Sequence, residues 1–399
     1  MKSAAIIAEY NPFHNGHKFL ISETRKLGYD CIVSVLGGNF TQRGDISVFS
    51  KEVKCRAALS GGADLVIELP VPYVLAPAER FAYGGINIIG ASHCIDAVSF
   101  GSECGDIELL KAAADAAYDI NVDCETAAFL SSGISYPAAK SKAIEKVFGK
   151  EVADVLISPN NLLAAEYLHQ LNAYPNIVPI TVKRTIDHDS DKSDSSFASA
   201  SYIRKLILSK ENYSKYVPKE VQDIYSEAIL NKTAPCDVSK LEAAILSKLR
   251  FMEVDDFARL PDVSEGFENR LYACSRKAGS LEEFYSLSKT KRYTMSRIKR
   301  ITMNAFLGIS PELQKRFPPY IRILGFNAAG EALVRKMKNL SSLPVSSSLK
   351  KLCGFSEECR IFAETEERCG NQFYLSMDSP YFCGSEFKYK IQKYKEETI

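Results

Sequence analysis

Ala4-Ala5-Ile6-Ile7-Ala8-Glu9-Tyr10-Asn11-Pro12-Phe13-His14-Asn15-Gly16-His17 is the stretch that decides how this chain folds. Its apolar start has the make-up of a buried strand, and Asn11-Pro12 ends the pairing because proline brings no N–H to a ladder. Residues 18–27 then have the spacing of an amphipathic helix. A strand turning straight into a helix is the first unit of a doubly wound sheet. That turn is also where such a fold holds anions, because the free N–H groups and the positive dipole end of the helix point outward there. Gly16 lets a ligand approach the backbone, and the imidazoles of His14 and His17 beside it can touch phosphate oxygens. A lone pair of histidines is usually solvated surface; the strand before this one and the helix after it favour nucleotide binding.

Up to residue 210 the pattern keeps alternating between strand and helix. Further parallel strands are expected over 31–36, 64–69, 95–100 and 177–183. Helices are expected over 52–59, 106–118 and 199–208, with 123–148 mostly helical and broken near 133–137. Asn160-Asn161 is expected to cap a helix reaching about Leu171, and the Ser/Asp-rich segment 185–196 is too polar to bury. In an open α/β sheet the strand ends converge on one crevice, which would gather 14–17, 38–44, 101–103, 159–161 and 183–184. After a linker over 210–218 the period becomes helical, near 219–231, 237–252, 266–278, 281–288 and 294–307. A strand follows over 320–326 and a helix over 328–340. The expected architecture is thus an α/β, Rossmann-like domain with a parallel sheet over 1–210 and a mainly helical domain over 211–399.

Composition is that of a soluble globular protein, with 46% hydrophobic and 25% charged residues among 399. No apolar run approaches a membrane span, and the start of the chain reads as strand rather than signal peptide, so a cytoplasmic protein without membrane contact is expected. Eleven cysteines without a Cys-x-x-Cys pair read as reduced thiols, and Cys353, Cys359, Cys369 and Cys383 fit no zinc spacing, so no metal site is expected. Net charge is only +1, yet residues 289–338 hold 12 basic residues against Glu312 and Glu331. Six of those cations, Lys289, Lys291, Arg292, Arg297, Lys299 and Arg300, lie within twelve residues that contain no acid. They read as a phosphate-contacting RNA surface, with Tyr293 available to stack or pack against a sugar; a solvated helix face is the plainer alternative.

The 14–17 turn resembles the His-x-Gly-His signature of the nucleotidyltransferase superfamily. Ser199-Ala200-Ser201-Tyr202-Ile203-Arg204 resembles the Ser-x-x-x-Ile-Arg helix start of the same enzymes. Ser199 and Ser201 would hold β- and γ-phosphates, and Arg204 would neutralise charge on leaving pyrophosphate. With Gly38-Asn39-Phe40-Thr41-Gln42-Arg43-Gly44, Phe100-Gly101-Ser102-Glu103, Pro159-Asn160-Asn161, Lys183-Arg184 and the basic segment, the chain resembles the bacterial tRNA(Met) cytidine acetate ligases. That resemblance implies an ATP-dependent ligase, using ATP with Mg²⁺, that joins acetate to the N4 amine of the wobble cytidine of elongator tRNA(Met). It implies an ATP site through Ile7-Ala8-Glu9-Tyr10-Asn11-Pro12-Phe13-His14-Asn15-Gly16-His17-Lys18-Phe19-Leu20, with Gly101, one of Asn160 and Asn161, and Arg184. The expected roles are His14, His17 and Arg204 in catalysis, and Asn39, Gln42 and Arg43 around acetate and cytidine. The runner-up is a cofactor-biosynthesis adenylyltransferase, which accounts for the histidines and Arg204 but not for a large basic second domain. No oligomeric state follows from the residues.

Overall fold

A computed structural model describes residues 1–134, 136–184, 196–264 and 266–394. Its strands are β1 (Ser3–Ala8), β2 (Cys31–Gly37), β3 (Leu65–Leu69), β4 (Ala97–Ser102), β5 (Val178–Lys183), β6 (Ile321–Phe326), β7 (Val345–Ser346) and β8 (Gln392–Lys393). They form one sheet in the order β5-β4-β1-β2-β3-β6-β7, with β8 paired to β6. β1 runs parallel to β2, Ser3 opposite Cys31 through Ala8 opposite Leu36. Helices cover both faces, which is why the strands read as unbroken apolar runs. Ala5, Val33 and Val35 feed the core on one side of the sheet, while Ala4, Ile6, Ile32 and Leu36 feed the core on the other.

The parallel sheet expected for 1–210 is extended by the later half of the chain. β6 joins β3 antiparallel, with Leu65 opposite Phe326. Tyr216 and Val217, in the expected linker, are buried together with Val221 and Tyr225 in the core that holds Ala4, Ile6 and Tyr10. The helices expected beyond residue 218 are present as Lys219–Leu230, Glu242–Phe251, Phe267–Lys277, Leu281–Ser288, Met295–Leu307 and Ala328–Leu340.

Among the described helices of more than ten residues, two lie outside those that the sequence spacing predicts. Ala78–Ala91 contains Gly84, Gly85 and Gly90, residues that disfavour a helix interior. They are contact points instead: a methyl at Gly84 would sit 2.4 Å from the Tyr73 ring, and one at Gly85 would sit 2.5 Å from the Ile7 side chain. The second, Glu357–Tyr374, brings Glu366 into the interior.

Among the described residues no helix is long and apolar enough to cross a membrane. All eleven cysteines are free thiols, and no cluster of metal-ligating side chains occurs among the described residues. The polar segment 185–196 lies, apart from Ser196, outside the described residues.

Candidate active site

β1 ends at Ala8, and Tyr10 then takes a left-handed turn (φ 45°) into the cis Asn11–Pro12 bond. The first helix, Asn15–Lys26, starts straight after His14. Its N-terminus is closed by the two histidines themselves. The His14 N–H donates to His17 Nδ1 at 3.2 Å, and the Gly16 N–H donates to His14 Nδ1 at 3.1 Å. With each Nδ1 accepting, the network assigns each ring proton to Nε2, leaving two N–H donors free for a ligand. The rings stack with centroids 3.8 Å apart. Burial, with the positive charges of Arg184 and Arg204, pushes His14 down to about 3. Burial, then His14 and Arg184, holds His17 well below the usual imidazole range. Both rings therefore act at neutral pH as uncharged donors rather than as imidazolium ions.

The cleft beside them is lined by His14, Gly16, His17, Gly101, Arg184 and Ser199. β4 and β5 deliver Gly101 and Arg184 side by side, so a methyl at Gly101 would lie 3.2 Å from the Arg184 side chain. Ser199 caps the helix Ala200–Leu208 by accepting from the Tyr202 N–H. Arg204 reaches back to donate to the Asn11 carbonyl at 2.8 Å and to Ser201 Oγ at 3.1 Å. The two signatures, nearly 200 residues apart, thus meet in one cleft.

Of the asparagine pair, Asn161 is buried and bound internally. Its Oδ1 accepts from the Glu103 N–H at 2.8 Å, and its amide donates to the Val155 carbonyl at 3.1 Å. The expected asparagine cap on the helix Pro159–Leu171 is replaced by Glu103, whose carboxylate accepts from the Asn160 and Asn161 N–H groups. Asn160 is the half-exposed member of the pair. Within the segment 7–20, Tyr10 and Phe13 are buried supports, and Lys18 is exposed and paired with Glu220.

The 38–44 loop divides in the same way. Asn39, expected in the acetate or cytidine pocket, is 1% exposed, and its Oδ1 accepts from the Lys51 N–H at 2.7 Å. It supports the loop from inside. Arg43 is exposed, and Gln42 is half-buried, its side-chain amide donating to the Ala76 carbonyl at 3.2 Å. The Gln42 backbone N–H donates to the Glu9 carboxylate, and burial raises the pKa of that carboxyl against the pull of the Gln42 N–H, Lys54, Arg204 and Arg43. Lys54, missed in the sequence because one lysine in a helical stretch reads as surface, ties the strand ends together. Its ammonium donates to the Glu9 carbonyl at 2.8 Å, the Gly37 carbonyl at 2.7 Å and Ser47 Oγ at 2.9 Å.

The basic segment also splits. Lys289, Lys291 and Arg292 are exposed. Arg300 is 8% exposed, pairs with Asp262 at 3.2 Å and reaches the Gln42 carbonyl at 3.4 Å. Lys299 pairs with Asp45 at 3.1 Å, and Arg297 donates to the Asp262 carbonyl at 2.6 Å. Tyr293 is not available to a sugar: it stacks on Phe267 at 3.5 Å, and its hydroxyl donates to the Ser264 carbonyl at 2.6 Å. These contacts seat the helix Met295–Leu307 against the 38–44 loop. A methyl at Gly44 (φ 76°) would lie 2.2 Å from the Arg300 nitrogen, so only glycine allows that approach.

A strand-turn-helix with paired histidines, answered by a serine-capped helix carrying an arginine, defines the His-x-Gly-His class of nucleotidyltransferases. The model of the HIGH Nucleotidyl Transferase family matches residues 1–377. The tRNA(Met) cytidine acetate ligase of Thermoanaerobacter sp. (strain X514) is 37% identical over 356 residues, covering 87% of this chain and 88% of that protein. Its counterpart in Acetivibrio thermocellus is 36% identical over 415 residues, covering 98% and 99%. The Thermotoga maritima TmcAL crystal structure bound with alpha-thio ATP superposes with a TM-score of 0.91 at 29% identity, over 98% of this chain and 99% of that one. The apo form of the same protein gives 0.93 at 28% identity with equal coverage. This chain belongs to the tRNA(Met) cytidine acetate ligase family.

Proposed function

We propose that this enzyme uses ATP, carried with Mg²⁺, to activate acetate as acetyl-adenylate, and that it passes the acetyl group to the N4 amine of the wobble cytidine of elongator tRNA(Met) in the cytoplasm. The observation that carries this reading is the pair of neutral Nε2–H donors at a helix N-terminus, flanked by Arg184 and Arg204. Such a cleft suits a triphosphate and the charge that develops as acetate attacks the α-phosphorus. Acetate alone is a poor acyl donor because its leaving group would be oxide; the mixed anhydride makes AMP the leaving group. The cytosine amine is a weak nucleophile because its lone pair is delocalised, so holding it beside the anhydride supplies much of the rate. In the transfer step the N4–acetyl bond forms, an N4–H bond and the bond from acetyl carbon to phosphate oxygen break, AMP departs, and the amine proton passes to solvent.

The direct test incubates the protein with ATP, labelled acetate and bulk tRNA, followed by mass spectrometry of the nucleosides. Labelled N4-acetylcytidine confined to tRNA(Met) is expected; its absence, with AMP passed instead to a small phosphorylated metabolite, would favour the adenylyltransferase alternative. Propionate should serve poorly but detectably, because one methylene is worth only about 1–3 kcal/mol of discrimination.

The exposed cations and the pocket loop give separable results. Neutralising Lys289, Lys291 and Arg292 together should weaken tRNA binding and lower its logarithmic salt slope by about 2–3, while ATP affinity stays unchanged. A slope equal to wild type would make those side chains plain solvated surface. Gln42→Ala or Arg43→Ala should leave tRNA retained on filters yet reduce N4-acetylcytidine. Equal losses of binding and product would move the loop from the reaction pocket to the docking surface.

A further inference from the structure

We propose that Tyr225 is a positioning residue for the histidine pair, holding the turn before the first helix by both backbone groups of Phe13. Tyr225 lies on the helix Lys219–Leu230, more than 200 residues from that turn, and is fully buried. Its hydroxyl accepts from the Phe13 N–H at 2.8 Å and donates to the Phe13 carbonyl at 3.2 Å. One phenol thus satisfies the two polar groups of a single buried residue. Its ring is fixed in turn by stacking on Phe49, with centroids 4.0 Å apart and planes 9° from parallel.

Phe13 immediately precedes His14, so its peptide plane sets the direction of the His14 N–H that fixes the His17 ring. The His14 carbonyl accepts from the His17 N–H at 2.9 Å, so neither histidine can keep its place if Phe13 shifts. The Phe13 ring has its own stop: a methyl at Gly61 would lie 2.3 Å from it. The Tyr10 ring meets His17 edge-on at 4.8 Å, and Arg204 donates to the Asn11 carbonyl at 2.8 Å. Among these supports Tyr225 is the one supplied from beyond residue 210. Without its hydroxyl, a buried N–H and a buried carbonyl lose their partners, and the turn can regain them only by moving.

This inference rests on the ATP-activating role proposed above. The test compares Tyr225→Phe, which keeps the ring and its stack, with Phe49→Leu, which loosens the stack and keeps the hydroxyl. ATP affinity is measured by calorimetry without acetate or tRNA, and adenylate formation by ATP–pyrophosphate exchange with acetate. Tyr225→Phe is expected to bind ATP on the order of tenfold more weakly and to exchange roughly 10²-fold more slowly, the scale of a misplaced catalytic group. Its tRNA affinity should equal wild type, and Phe49→Leu, which keeps both hydroxyl bonds, should lower the melting temperature with a smaller loss of exchange than Tyr225→Phe. In the His17→Ala background, Tyr225→Phe should cost clearly less further exchange than it does in wild type, because part of the hydroxyl's effect passes through that imidazole. Full ATP affinity and exchange in folded Tyr225→Phe, or losses that simply add to those of His17→Ala, would overturn the proposal. If Tyr225→Phe melts too readily for assay at ordinary temperature, the same measurements in the cold decide between these outcomes. A wild-type protein that binds ATP but makes no N4-acetylcytidine would instead sink the functional reading and leave the ATP-affinity comparison standing.

Discussion

His17→Ala is expected to lose acetyl-adenylate formation by about two to three orders of magnitude, the scale of removing one preorganised oxyanion donor, or about 3–4 kcal/mol of barrier. Three features of the turn support so large an effect. The Nδ1 of His17 is occupied by the His14 N–H, which leaves Nε2–H as its outward donor. The ring is clamped between His14, stacked at 3.8 Å, and Tyr10, edge-on at 4.8 Å, so the donor is aimed before ATP arrives. It also sits at the helix N-terminus, where no rearrangement is needed to meet a developing negative charge. The same substitution removes half of the cap on the first helix and should cost about 1 kcal/mol of stability. ATP–pyrophosphate exchange beside a thermal melt separates the two effects; near-normal exchange would remove His17 from the chemistry.

The depressed imidazole pKa values also fix a pH signature. With His14 pushed down to about 3 and His17 well below its ordinary value, His14 should not titrate in the free enzyme between pH 8 and about 5, and His17 should titrate well below an ordinary imidazole. A folded pKa lowered beneath the unfolded value gives stability that is complete above about 6.5 and is lost as pH falls toward the folded value. Acid weakening of the fold should therefore begin below about pH 6.5 without an accompanying imidazolium signal from His14 in the native state.

What was legible in the sequence follows from what each residue does for its neighbours. The His14–His17 turn, the Ser199 cap and the strands β1 to β5 showed because local spacing and local chemistry agree there. The helix Ala78–Ala91 did not, because its glycines serve a distant surface rather than the local backbone. Asn39 and Tyr293 misled in the opposite sense: their residue types suit ligands, but their partners, the Lys51 N–H and the Phe267 ring, are fixed only by the fold. Glu103 stood in a motif without a role until the start of the helix Pro159–Leu171 was placed against it.

Least legible was a set of five charges, scattered from Lys51 to Glu386, that meets in the interior with every member at 1% exposure or less. The Lys51 ammonium contacts Glu68, Glu366 at 3.4 Å and Glu386 at 3.0 Å. Arg322, on β6, pairs with Glu68 at 2.8 Å and Glu386 at 2.9 Å. Burial works against Lys51's charge, but Glu386, Glu68 and Glu366 outweigh it and raise its pKa. Burial likewise opposes ionised Glu386, yet Lys51 and Arg322 hold it down to about 2. Glu366 goes the other way, pushed up to about 8 by burial and by Glu68. At neutral pH the protonated Glu366 leaves two cations facing two anions, which is the balance a dry interior requires. Lys51→Met should therefore destabilise the fold by about 3–5 kcal/mol, because Glu68 and Glu386 then share one cation. Glu366→Gln should cost little, since an amide can still accept from the Val71 N–H that Glu366 now holds. A raised carboxyl pKa gives stability that is complete below the unfolded value and is lost as pH rises through the folded one. Wild type should accordingly lose ground to Glu366→Gln between about pH 4.5 and 8, a trend that denaturant melts across that range would show. The consequence reaches the 38–44 loop proposed above as the pocket wall, because Lys51 also donates its backbone N–H to Asn39 there. Lys51→Met should therefore lose N4-acetylcytidine formation at temperatures where its ATP affinity still holds. Equal stability of Lys51→Met and wild type would mean that the five charges do not act as one balanced set.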